Sequence, residues 1–310
     1  MKPDIIIPYP ARECSFTDPG PRPAFAVAYV RPETNTVLYE RAILAGLRAH
    51  GKIIYCANLP ATVFERDKIL ERHYPSQFRF ARDPFGELSR YPEIRSRMEE
   101  HFCVRRDKAR VLGSFDAMSQ LGISEERLLE TIVPESDYLG CWGQSFKRIA
   151  GAIIVNPNLP AIVLRHKPPA NVFAVVVRCA DCSDKFFDEV NEAIFREITS
   201  RSETPIIDGE KLDALVWWER IRRTYHLSAN HVMTMLDMSD FVYTGDAASL
   251  AVTDTPLGRW LIEEGAISAE KLAFLKSWPL ARRRSAGLVY LPTAARGMTL
   301  DQIRTLMKDL

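Results

Sequence analysis

Apolar and polar positions follow two different periods along this chain. Ala24–Val30 (AFAVAYV) is apolar at every position, which predicts a strand buried on both faces. Leu38–His50 then repeats apolar residues at helical spacing, with Thr36 as candidate N-cap and Gly51 just past the end, and Ile53–Cys56 predicts a second strand. A strand, helix, strand run of this length is a βαβ crossover, with right-handed parallel or split pairing. Beyond Pro60, Thr62 and Glu65 spell a capping box and predict a helix to about Tyr74. Further helices are expected over Pro92–Phe102, where proline occupies the first turn, and on both sides of Gly122, the second capped by Ser124 and closed before Pro134.

The middle of the chain reads as sheet again. Gly151–Val155, the turn Asn156–Pro160 and Ala161–Arg165 predict a hairpin or two strands meeting at a bend, and Val172–Val177 another strand. Asp184–Thr199 is amphipathic, with Phe187, Val190, Ile194 and Ile198 sharing one face. From Gly209 the pattern turns helical, over Glu210–Thr224, Ala229–Met238, Leu257–Glu264 and Ala269–Ser277, with one late strand, Leu288–Leu291, and a terminal helix after Thr299. The expected class is α/β. A proline-rich extended arm (1–23) precedes an α/β sandwich (24–205) holding the ferredoxin-like or split βαβ unit. A smaller, mostly helical module (206–310) with the late strand follows.

Composition narrows the partners more than the fold. Lys plus Arg less Asp plus Glu is 41 − 40 = +1, so no global field recruits nucleic acid or anionic lipid, and such a partner needs a local patch. The uncharged stretch Ile149–Leu164 carries Lys and Arg only at its flanks and is broken by Asn156-Pro157-Asn158, too short for a membrane span. The start has only Ile5-Ile6-Ile7 before Pro8, without a signal-peptide core, and the dispersed cysteines suit a reducing compartment; both lead to an expected cytoplasmic location with no membrane partner.

Four local signals carry chemistry. Cys179-Ala180-Asp181-Cys182 lies between a predicted strand and helix, where the helix N-terminus favours a thiolate. This stretch resembles the thioredoxin family, which implies a dithiol oxidoreductase using Cys179 and Cys182. It departs from the family in Arg178 where an aromatic is usual, and in Asp181, whose charge opposes ionisation of both thiols. As zinc ligands the pair is half a site, to be completed in space by His166 or Cys141. Tyr225–Leu236 resembles the turn and second helix of helix-turn-helix regulators: Leu227 closes the turn, Ser228 caps the helix, and Val232 and Leu236 anchor it. That resemblance implies DNA binding over 220–238 through Arg220, Arg222, Arg223 and Asn230, although no Arg or Lys lies on the reading face.

The third signal is the opening itself. The first strand followed by Arg31-Pro32-Glu33, the helix, the second strand and His73-Tyr74 is similar to nucleoside diphosphate kinases, which carry Lys-Pro-Asp and a His-Tyr pair there. The resemblance implies nucleotide binding by the N-terminal domain, with Arg31 as a fork for phosphate. The family's nucleophile sits in Asn-x-x-His-Gly-Ser, which does not occur here, leaving His166 as the stand-in. The fourth, Leu257–Leu272, looks like the helical hairpin at the amino end of type II secretion ATPases, an element that binds partners. Finally, Lys147-Arg148 and Arg165-His166-Lys167 bracket the predicted hairpin and would converge if its ends meet.

With no complete catalytic set, the leading expectation is a non-catalytic protein that binds a protein partner or a small anionic or phosphorylated ligand. Arg31, Lys147, Arg148, Arg165 and His166 form the expected anion site, and neither a metal nor a cofactor is expected.

Overall fold

The computed structural model describes residues 2–10, 23–105, 108–179, 185–201, 206–207, 210–211, 224–245, 248–285 and 287–310. In chain order the strands are β1 (Asp4–Ile7), β2 (Ala24–Val30), β3 (Lys52–Pro60), β4 (Val111–Gly113), β5 (Tyr138–Cys141), β6 (Gln144–Ile149), β7 (Ala152–Val155), β8 (Asn171–Cys179), β9 (Ile206–Ile207), β10 (Glu210–Lys211), β11 (Tyr225–Leu227), β12 (Leu280–Arg283) and β13 (Gly287–Tyr290). The helices are α1 (Val37–Arg48), α2 (Ala61–Asp67), α3 (Ile69–His73), α4 (Pro75–Arg82), α5 (Pro84–Arg90), α6 (Pro92–His101), α7 (Ser114–Leu121), α8 (Glu125–Glu130), α9 (Leu159–Arg165), α10 (Phe186–Arg201), α11 (His231–Phe241), α12 (Pro256–Glu263), α13 (Ala269–Ser277), α14 (Leu291–Ala294) and α15 (Leu300–Asp309). The chain is α/β, as its periodicities predict.

Two compact units share the chain without dividing it in half. Unit 1 takes residues 1–69, 168–273 and 295–309; unit 2 takes 70–167 and 274–294. The boundary expected near 205 falls inside unit 1, because β11 returns to the sheet that β2 begins.

Unit 1 is built on one sheet, in the order β1, β3, β8, β2, β11, with every neighbouring pair antiparallel. The βαβ unit is therefore the split kind: β8 lies between β2 and β3. Both faces of β2 are covered, which is why all seven of its residues are buried. Ala24, Ala26, Ala28 and Val30 pack under Ile43 and Leu47 of α1 and Ile194 and Ile198 of α10. The alternate residues face α11, where Thr234 Oγ1 donates to the Phe25 carbonyl at 3.0 Å and the Phe241 ring lies 4.5 Å from that of Tyr29. Small residues let the covering helices come close. A Cβ on Gly46 would stand 2.7 Å from both the Cα and the backbone N of Ile194.

Three local expectations are corrected. Thr62 does not cap a helix: Pro60 is the N-cap, Thr62 Oγ1 is buried without a hydrogen-bond partner, and α2 stops at Lys68, which turns left-handed at φ 49°. The segment expected as two strands around Asn156 is strand and then helix, since Pro160 in the first turn pre-sets α9. Tyr225–Leu227 is a sheet strand rather than a helical turn, and α11 starts at His231 under Asn230, whose Oδ1 accepts from Met233 N at 2.9 Å. The proline-rich arm contributes β1 to the sheet edge, while residues 11–22 lie outside the described set.

In unit 2 a sheet of order β4, β7, β6, β5 has β4 parallel to β7 and the rest antiparallel. Its central hairpin turns at Ala150 and Gly151, both left-handed at φ 49° and 76°, as a two-residue primed turn demands. Phe80, Leu88, Ile94, Met98 and Phe146 fill the core beside Trp278, whose Nε1 donates to the Tyr91 hydroxyl. Among the described residues no helix is long and apolar enough to cross a membrane.

Candidate functional site

The five cations expected to converge do not share one compact unit. Lys147, Arg148, Arg165 and His166 belong to unit 2 and Arg31 to unit 1. In unit 2 each has an internal structural role. Lys147 is buried at 7 % exposure, and its Nζ donates to the carbonyls of Leu128, Leu129 and Thr131 at 3.2, 3.4 and 2.8 Å, closing the C-terminus of α8. Arg148 donates to the Phe102 carbonyl at 2.6 Å and pairs with Asp137. Arg165 forks onto both carboxylate oxygens of Glu126 at 3.1 and 2.7 Å, and His166 Nδ1 faces the Ile162 carbonyl at 2.8 Å. These side chains brace backbone and helix ends. Lys147→Met is therefore expected to lower stability by about 2 kcal/mol, because it strands buried carbonyls. A thermal-melt midpoint within a degree or so of wild type would contradict that role for Lys147.

A different group assembles in unit 1. His226, central in β11, lies opposite Tyr29 of β2, and the two rings stack with centroids 4.6 Å apart and an interplanar angle of 17°. Asp237 stands one helical face along α11 from Thr234 and Phe241, so it points down onto the same sheet face. Its Oδ2 lies 2.8 Å from His226 Nε2 and 2.7 Å from Ser228 Oγ, while its side chain is only 3 % exposed. Two donors on one oxygen are what an ionised carboxylate takes, which assigns the proton of this contact to His226 Nε2.

Ser228 fixes the carboxylate from behind. Its Oγ lies 3.2 Å from the Val27 carbonyl and 2.7 Å from Asp237 Oδ2, and it accepts from Val27 N at 3.2 Å. One hydroxyl proton cannot serve both oxygens; the shorter, charge-assisted bond to Asp237 takes it. Ser228 is thus an anchor for the acid and not a nucleophile placed on the imidazole, and the trio is not a serine-hydrolase triad.

Arg31 follows β2 directly, in extended conformation at φ −69° and ψ 149°, and its backbone N donates to the Thr224 carbonyl at 3.1 Å. In sequence it stands two residues beyond Tyr29, the residue that faces His226 in the register. Arg31 is the one member of the expected anion set that belongs to the same unit as this group. His226 and Asp237 carry no role in the sequence reading, and Ser228, expected there as a helix cap, bonds Asp237 instead, the cap being Asn230. The signal was present: His226-Leu227-Ser228 keeps the His and Ser of a His-Gly-Ser motif in order and spacing, with leucine for glycine.

The thiol and DNA candidates lie partly outside the described residues. Cys179 ends β8, half-buried and packed against the core of unit 1, while Cys182 lies outside the described residues. Cys141 does not offer a reactive thiol, since burial pushes it up to about 12. Arg220, Arg222 and Arg223 also lie outside the described residues, as do residues 212–223 of the expected first helix. Asn230, expected to read a base, caps α11, and Thr234 of the same reading face is buried against the sheet. Helix α11 is a core element, with ten of its eleven residues buried.

Comparison with family models, curated proteins and solved structures gave no significant match.

Proposed function

We propose that unit 1 handles a phosphorylated ligand, with His226 as the group that accepts a phosphoryl moiety from a nucleoside triphosphate. The observation that carries this reading is the 2.8 Å bond from His226 Nε2 to the buried carboxylate of Asp237. That bond selects one tautomer and supports the positive charge an imidazole gains when its other nitrogen forms a bond. The Nδ1 lone pair attacks the terminal phosphorus and the bridging P–O bond breaks. Its electron pair leaves with the nucleoside diphosphate, while the Nε2 proton stays in its bond to Asp237. Attack by a second diphosphate on the phosphohistidine reverses the step. Arg31, just past the end of the strand that pairs with β11, supplies a planar cation for the phosphates. The likeness of Arg31-Pro32-Glu33 and the surrounding strand, helix, strand run to nucleoside diphosphate kinases supports the same reading.

The test is covalent labelling of the full chain with γ-phosphate-labelled ATP and magnesium. The label is expected to be stable in alkali and labile in acid, as an N-linked phosphate is, and absent from His226→Gln. Equal labelling of wild type and His226→Gln would refute the assignment. Saturable ATP binding without any transfer would leave the non-catalytic form of the proposal, a site that holds the phosphates and does not react.

A further inference from the structure

We infer a second ligand site in unit 1, which takes a small apolar α-amino acid. A cavity of about 140 Å³ opens between the first turn of α10, the loop that leads from β11 into α11, and the loop before α15. Phe187, His231 and Met298 give it an apolar wall, in which the Phe187 and His231 rings meet edge to face at 5.0 Å. Arg296 and Asp188 line it as well, and both are exposed, so two opposite charges stand at one opening. Neither side chain forms an ion pair or hydrogen bond among the described residues.

Size and charge together choose the ligand class. A cavity of about 150 Å³ accommodates benzene, so this one fits a ligand of roughly six to nine non-hydrogen atoms. A single charge in the opening would suit a simple acid or a simple amine; one of each sign suits a zwitterion. The guanidinium of Arg296 takes a carboxylate through paired N–H donors, and the carboxylate of Asp188 takes an ammonium. The apolar remainder goes against Phe187 and Met298. His231 also walls a second cavity of about 10 Å³ beside Met235 and Met238, room for little more than a methyl group at the end of a side chain. Leucine, valine and methionine match this description. The site neither includes His226 nor requires phosphoryl transfer.

Isothermal titration of the full chain with L-leucine tests it, with 4-methylpentanoate, which keeps the carbon skeleton and lacks the amine, as comparison. Saturable leucine binding is expected, weaker by about tenfold or more in Arg296→Ala and in Asp188→Asn, as loss of a hydrogen-bonded charge predicts. Binding should be unchanged in His226→Gln, which separates this site from the phosphoryl site. No binding of leucine, valine or methionine at millimolar concentration overturns the inference, as does leucine binding that both charge variants retain in full. Equal affinity for 4-methylpentanoate overturns the amino-acid assignment. Both substitutions are at exposed positions, and an unchanged circular dichroism melt establishes that each variant is folded.

Discussion

Gly46→Ala is expected to destabilise the protein by about 2 to 3 kcal/mol, and with it to lower the thermal midpoint by roughly 4 to 10 °C. Two effects compete at this position and they have opposite signs. Gly46 sits inside α1, where alanine is favoured over glycine by about 1 kcal/mol from backbone entropy alone. Against this, the new Cβ would lie 2.7 Å from the Cα and backbone N of Ile194, inside any permitted carbon contact. Backbone atoms of α10 cannot rotate away as a side-chain tip can, so the helices must separate and the packing of Ile43, Leu47, Val190 and Ile194 loosens with them. Overpacking therefore outweighs propensity. A calorimetric melt in which Gly46→Ala equals or exceeds wild type would show that α1 and α10 do not approach this closely.

The same contrast explains how far the fold could be read in advance. Ala24–Val30 and Val172–Val177 were legible because strands covered on both faces are apolar at every position, and the spacing of Phe187, Val190, Ile194 and Ile198 marked the core face of α10. The last strand of the sheet was not legible. Tyr225–Leu227 has three residues, too few to establish a period, and the capped helix after it suggested a helical hairpin. Long-range pairing with β2, about two hundred residues earlier in the chain, overrides that local preference. The insertion of unit 2 between β3 and β8 was equally hidden, because a domain interruption leaves no change of composition at its borders. For the site, Arg31 was found from a motif, whereas Lys147, Arg148, Arg165 and His166 were grouped by a hairpin that α9 replaces. Asp237 was missed because an acid within an apolar helix announces itself only when the imidazole beneath it is known.

Asp237→Asn should separate chemistry from stability more sharply than any other change. The amide has the shape of the carboxylate, so its oxygen can still accept from His226 Nε2 or Ser228 Oγ, and a buried charge that burial disfavours is removed. The fold should therefore change little, by about 1 kcal/mol. Phosphoryl transfer to His226 should fall by about a hundredfold or more, since the neutral amide no longer supports positive charge on the imidazole and can offer N–H where an acceptor is needed, favouring the wrong tautomer. Ser228→Ala gives the complementary result: the carboxylate stays charged but loses the hydroxyl that ties it to Val27, so the label rate falls less, by about tenfold, and stability drops by about 1 to 2 kcal/mol. Rates of labelling from γ-labelled ATP and denaturant melts on the two variants check the pair. If Asp237→Asn unfolds the protein while sparing the label rate of its folded fraction, the carboxylate serves only to join β11 to α11.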